Sequence, residues 1–101
     1  MTPQEMINFI IEHYEPEEQE RQVMEECGEL IQAVNKFHRK PTKQTRSDLI
    51  GEMADVTVMI KQLQAIHNIT DGELECMIKY KLERQMRRIE GEKIETNVCN
   101  V

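Results

Sequence analysis

Apolar residues recur along this chain at helical spacing, and capping signals separate one periodic stretch from the next. Thr2-Pro3-Gln4-Glu5 is a capping box with proline at the first helical position, and Met6, Ile7, Ile10 and Ile11 continue it as an apolar stripe. Pro16 cannot extend that helix but can begin another, and Glu17, Glu18 and Glu20 suit the positive end of a helix dipole. The spacing predicts a second helix from about Pro16 to about His38, with Val23, Cys27, Leu30, Ile31, Val34 and Phe37 on one side. Arg39-Lys40-Pro41-Thr42-Lys43 reads as a basic loop. A third helix is expected from near Ser47, carrying Leu49, Met53, Val56, Ile60 and Leu63, and His67-Asn68-Ile69 closes it. Thr70-Asp71-Gly72-Glu73 is a second capping box, opening a helix with Leu74, Met77, Ile78, Leu82 and Ile89 that Gly91 stops. No segment alternates with a period of two. The expected fold is all-α, an antiparallel bundle of about four helices, with residues 1–91 as a single domain and 92–101 as a C-terminal tail. The stripes are long for so short a chain, which predicts that the long helices are also covered by a second copy.

The 101 residues suffice for one domain. With 39% apolar and 32% charged residues, the composition excludes collagen, a disulfide scaffold and low-complexity disorder. No apolar run reaches the roughly 18 to 20 residues of a membrane helix, and the start, MTPQEM, has no secretory n- and h-region. Cys27, Cys76 and Cys99 form no C-x-x-C pair and read as reduced thiols of a cytoplasmic protein. Phe9 and Phe37 are expected in the core, and Cys27 is expected there as a small buried hydrophobe.

Charge is laid out in blocks. Residues 1–35 carry nine acids and one base, residues 36–46 five bases and no acid, residues 47–78 six acids and one base, and residues 79–101 six bases and four acids. A chain of net charge −6 with no basic stripe on its main body is a poor binder of nucleic acid polymers. The two basic islands read either as solvated surface or as seats for a small polyanion such as the phosphates of a nucleotide.

The candidate chemistry lies in Glu25-Glu26-Cys27-Gly28-Glu29-Leu30 on the second helix and Gly51-Glu52-Met53-Ala54-Asp55-Val56 on the third. At about 100° per residue, Glu26 and Glu29 lie on the flank that holds Leu30, Ala33 and Phe37. Glu52 and Asp55 have the same relation to Val56, Met59 and Leu63. Both pairs therefore turn toward the bundle. Like charges three residues apart repel by about a few tenths of a kcal/mol when exposed, and desolvation adds on the order of several kcal/mol per unpaired ion. A divalent cation resolves the conflict. Four carboxylates and no histidine at a Glu-x-x-His offset suit Mg²⁺ or Mn²⁺ rather than a di-iron centre. Gly28 and Gly51, each beside an acid of this set, imply either a close approach of backbone or substrate, or tight helix packing. On the fourth helix Lys81, Gln85 and Arg88 fall on the side of Leu74 and Met77, with Arg84 at its border, while Lys79, Glu83 and Arg87 point outward.

Glu25-Glu26-x-x-Glu29 followed by Glu52-x-x-Asp55 on consecutive helices resembles the signature of the all-α nucleoside triphosphate pyrophosphohydrolases, the MazG-like family, over roughly residues 16–90. The resemblance implies a Mg²⁺-dependent enzyme, dimeric or tetrameric, that hydrolyses nucleoside or deoxynucleoside triphosphates to the monophosphate and pyrophosphate. It implies Glu26, Glu29, Glu52 and Asp55 as metal ligands and Glu25 as a further ligand or water-orienting base. Lys81, Arg84 and Arg88 match the family's phosphate-holding cluster, and Phe37, on the flank of the acids, is the candidate wall of a base pocket. Attack is expected at the α-phosphorus, giving the monophosphate and pyrophosphate, although these residues are also compatible with attack at β. The competing readings are a same-fold hydrolase of narrower substrate (dUTP, dCTP or phosphoribosyl-ATP) and a non-catalytic dimeric helical module.

Overall fold

The computed structural model describes residues 1–91 and Cys99. Four helices account for nearly all of them: α1 (Pro3–His13), α2 (Pro16–Arg39), α3 (Lys43–His67) and α4 (Asp71–Glu90). The fold is all-α, and no strand occurs among the described residues. The expected tail, 92–101, lies outside them apart from Cys99.

Local chemistry sets most helix ends. The Thr2 hydroxyl accepts from the Glu5 amide while Glu5 Oε1 accepts from the Thr2 amide, and Thr70 and Glu73 repeat the arrangement at α4. Each box satisfies amides that the first helical turn leaves without partners. Gly91 ends α4 in the left-handed region, at φ 77°, where a side chain would be strained. Asn68, at φ 54°, turns the chain out of α3 in the same way. The start of α3 differs from expectation. It begins at Lys43 rather than near Ser47, because Thr42 and Thr45 cap it reciprocally: each amide donates to the other's hydroxyl, at 2.9 and 3.1 Å. Only residues 40–42 separate α2 from α3, and so short a connection makes the two antiparallel neighbours.

The chain divides into two compact units, Met1–His67 and Asn68–Val101. In the first, α2 and α3 pair along their length and α1 packs on α3. Partners across the α2–α3 pair run in opposite order. Near the start of α2, Gln19 Nε2 donates to Gln62 Oε1, and both side chains are buried. Glu20 Oε1 meets His67 Nε2 at 2.8 Å, tying the end of α3 to α2. The buried apolar residues are few: Ile7, Ala33 and Met59.

Two expectations about burial and one about the thiols are corrected. Cys27 is exposed, as are Met24, Ile31 and Val34, so the apolar residues of α2 occupy two faces rather than one. The face turned inward holds Gln19, Val23, Glu26, Leu30, Ala33 and Phe37; Cys27, Ile31 and Val34 lie about 100° further round. Phe9, expected in the core, is 65% exposed on α1. The third correction concerns the thiols. Cys76 and Cys99 are joined in a disulfide within the second unit, their Cα atoms 5.9 Å apart, and Cys27 alone is free. A pairing between a helix and a segment 23 residues later has no C-x-x-C signature, so spacing did not reveal it. The cysteines therefore no longer argue for a reducing compartment. No helix among the described residues is long and apolar enough to cross a membrane.

Candidate metal centre

The antiparallel register that pairs Gln19 with Gln62 carries the middle of α2 to the middle of α3, two turns further along. There Glu26 and Glu29 meet Glu52 and Asp55. Each contributes a carboxylate oxygen, and the four oxygens lie within 4.8 Å of one another. Glu26 and Glu52 are half-buried on the inward flank, while Glu29 and Asp55 sit at the rim. The i, i+3 spacing on each helix produces this split, since a 60° step takes one acid of each pair from the inner flank to its edge.

Electrostatics at the cluster is unresolved by the protein itself. Gln22 Nε2 donates to Glu26 Oε1 at 2.9 Å. The second oxygens, Glu26 Oε2 and Glu52 Oε2, are buried and have no hydrogen-bond partner. An ionised carboxylate only accepts, so four carboxylates cannot satisfy one another. The Glu29 carboxyl accordingly stands above its ordinary range, first through the negative charge of Glu26, then through that of Glu52, with desolvation adding to both. A cation placed among them removes the repulsion and occupies the unpartnered oxygens. The donors are all hard oxygens, with no nitrogen or sulfur ligand in the cluster, and that set fits Mg²⁺ or Mn²⁺.

Beside the cluster a cleft of about 530 Å³ opens between α2 and α3. Glu29, Gln32, Ala33 and Lys36 line it from α2, and Thr45, Asp48, Gly51, Glu52 and Asp55 from α3. Its volume falls within the range of small-molecule sites, roughly 300 to 1,000 Å³. Gly51 leaves open space there: a Cβ at Gly51 would meet nothing within 4 Å, and the same is true at Gly28. Tight helix packing within the chain is therefore not the reason for either glycine.

Of the residues singled out in the sequence, the structure brings together Glu26, Glu29, Glu52 and Asp55. Glu25 is exposed on α2 and outside the cluster. Phe37 is half-buried on the inward face and is not among the residues lining the cleft. Lys81, Arg84 and Arg88 lie on α4, in the second unit. Lys81 and Arg88 are exposed, and the Arg84 guanidinium sits 5.7 Å from the Tyr80 ring centroid. Arg87 does not point outward as expected. It is half-buried, on a face shared with Leu74, Met77, Tyr80 and Arg84, while Ile78, Leu82, Met86 and Ile89 are exposed on the other side. The apolar stripe of α4 misled because half-buried tyrosine and arginine share the face that holds Leu74 and Met77. Of the other residues lining the cleft, Lys36 belongs to a basic island read either as solvated surface or as a seat for phosphates, whereas Asp48 and Thr45 carry no role in the sequence reading. A signal existed for two of them: Asp48 precedes Glu52 by four residues and Lys36 follows Glu29 by seven, so each lies on the face of an acid already chosen. Comparison with family models, with curated proteins and with solved structures finds no match to this chain, so the four-carboxylate cluster and its cleft stand as the ground for a functional reading.

Proposed function

We propose that this chain hydrolyses nucleoside or deoxynucleoside triphosphates to the monophosphate and pyrophosphate in a Mg²⁺-dependent reaction, as its resemblance to the MazG-like enzymes implies. The observation that carries the reading is the convergence of four carboxylates from two helices around two buried, unpartnered oxygens. Glu26, Glu29, Glu52 and Asp55 would hold the cation. A bound divalent ion supplies Lewis acidity and cancels charge between the phosphates and the carboxylates. Glu25, exposed beside Glu26, is the residue the resemblance assigns to orient water and accept its proton as the new P–O bond forms and the bond to pyrophosphate breaks. Lysine and arginine neutralise a departing pyrophosphate; the resemblance assigns that part to Lys81, Arg84 and Arg88, which lie on α4 in the second unit.

Self-association belongs to this reading. Only three apolar residues among those described are buried, and none of the described side chains is less than 2% exposed. Met24, Ile31 and Val34 on α2 and Ile50 and Met53 on α3 are at least half exposed. A second copy of the chain covering these faces supplies the burial that one copy lacks. Sedimentation at micromolar concentration should give a dimer or tetramer; a monomer contradicts this part of the proposal.

The activity is tested with a panel of ribo- and deoxyribonucleoside triphosphates, with Mg²⁺ or Mn²⁺, by following pyrophosphate release. Release from at least one nucleotide is expected. Its absence from all of them would put the non-catalytic helical module in place of the enzyme.

A further inference from the structure

The five bases of residues 36–46 are the most positive block in the chain, and the reading above gives them no part. Three of them converge. Lys36, Arg39 and Lys40, together with Thr45, line a groove of about 380 Å³ where α2 turns into α3. Lys36 and Thr45 also line the acid cleft, so groove and cleft adjoin at these two residues. None of the three basic side chains forms an ion pair among the described residues. The C-terminal dipole of α2 favours bases in its last turn, but a dipole neither gathers them around a groove nor leaves three of them without counter-ions in a chain of net charge −6.

One continuous trough thus has two ends of opposite chemistry. At one end clustered carboxylates suit a cation, and at the other exposed ammonium and guanidinium groups suit an anion. Lys36 stands seven residues after Glu29 on the same face, about 10 Å along the helix axis, and its flexible stem spans part of that distance. Arg39 and Lys40 lie about one turn beyond. A ligand that suits both ends is anionic along its length and binds a divalent cation at one point, which describes a polyphosphate chain. We propose that the Lys36–Arg39–Lys40 corner seats the terminal phosphate of a nucleoside triphosphate whose metal-bridged phosphates lie at the four carboxylates, so that the trough selects triphosphates over diphosphates by length. This deepens the proposed function and rests on it for the identity of the ligand.

The test measures binding in about 0.15 M salt, near physiological screening, with Mg²⁺ present. The probes are inorganic triphosphate and a matched pair of methylene-bridged nucleoside tri- and diphosphates. The triple variant Lys36→Ala/Arg39→Ala/Lys40→Ala should bind inorganic triphosphate at least tenfold more weakly than the parent and should lose its preference for the nucleoside triphosphate over the diphosphate. These side chains are exposed, so circular dichroism should report an unchanged fold. The pair Lys43→Ala/Arg46→Ala removes two bases that line neither groove nor cleft and should change affinity less than twofold. An unchanged preference in the triple variant, or an equal loss in the Lys43/Arg46 pair, overturns the proposal. Binding of inorganic triphosphate without binding of the nucleotide analogues overturns the nucleotide assignment. Turnover with an unaltered length preference leaves the proposed function standing and removes the corner; a Lys36-dependent affinity without turnover does the reverse.

Discussion

Two stretches of the α2–α3 pair bury polar groups in opposite ways. Near the start of α2, Gln19 and Gln62 are both buried and joined by a hydrogen bond, the Gln19 amide donating to the Gln62 carbonyl. Two turns further along α2, the groups facing each other are four carboxylates, and two of their oxygens are buried without a partner. A glutamine carries donor and acceptor together, so two of them close a polar contact inside a protein. Carboxylates only accept. The same helices in the same register thus pair buried polar groups at one end and leave two carboxylate oxygens unpartnered at the other. The deficit at the acid end is local, and a cation held there, as proposed above, would fill it.

The sharpest way to separate the two stretches is activity. Under the proposed reaction, Glu52→Gln should lower turnover of the best nucleotide by about a hundredfold or more, equivalent to roughly 2.7 kcal/mol of barrier, because it removes one of the four proposed metal ligands. Gln62→Ala, remote from the cleft, should leave turnover per folded molecule within about twofold. Equal losses in steady-state assays would mean that the acid end is no more catalytic than the amide end.

Next in size is the response to metal. If Mg²⁺ or Mn²⁺ binds only the native state, saturation at about 100 times its dissociation constant adds roughly 2.7 kcal/mol of stability. Thermal unfolding with the metal against chelator reads this directly. Glu29→Gln or Asp55→Asn should abolish the shift while leaving the apo protein as stable as before or steadier, since repulsion is relieved. Gln19→Ala should leave the shift intact.

A smaller effect is expected from the amide end alone. Gln19→Ala strands Gln62 in a buried site without its donor, and a buried unsatisfied group costs about 1 to 3 kcal/mol. Urea denaturation should report that loss with or without metal. The double change to leucine at Gln19 and Gln62 should recover part of it, because removing both partners leaves nothing to satisfy.

The smallest effect is in pH, and its sign differs between two carboxylates. Glu29 stands above its ordinary range in the folded chain because of Glu26 and Glu52. The native state therefore binds that proton more readily than the unfolded one. The resulting stability is fully present below the ordinary carboxylate value and is lost as pH rises through the folded value. In chelator, the unfolding midpoint should decline as pH rises from the acid range toward neutrality, and Glu29→Gln should flatten the decline. Glu5 is opposite: the Thr2 amide, then its hydroxyl, hold its carboxyl low. Its contribution is present above the ordinary value and is lost as pH falls through the lowered one. A midpoint that rose toward neutrality in the wild type but not in Glu29→Gln would contradict the assignment of repulsion to the cluster.

How much of this was legible depends on how local each determinant is. The capping boxes at Thr2 and Thr70, the stop at Gly91 and the turn at Asn68 involve residues within a few positions of one another, and they lie where the sequence places them. The Thr42–Thr45 cap carries no capping-box signature, because its fourth residue is threonine rather than glutamate or glutamine, and periodicity alone places the helix start about a turn late. The four acids were legible because helical periodicity assigns them a flank and because inward carboxylates have no explanation in packing. Residue periodicity on α2 and α4 could not decide which of two apolar faces turns inward. Cys27 and Arg87 were misjudged for that reason, since hydrophobic burial depends on the partner helix and not on the stripe alone.

What the sequence by itself determined is the set of helices, their ends and the pairing of acids on each helix face, because capping and 3.6-residue periodicity act over a few neighbouring positions. Tertiary structure alone decided the register of α2 against α3. That register sets Glu26 and Glu29 opposite Glu52 and Asp55, carries Lys36 and Thr45 to a shared boundary of cleft and groove, and leaves two carboxylate oxygens unpartnered. Independently of that register, tertiary structure joins Cys76 to Cys99 within the second unit. These are relations between residues distant along the chain, and they arise only when whole helix faces compete for burial, a contest that no single stretch of sequence records.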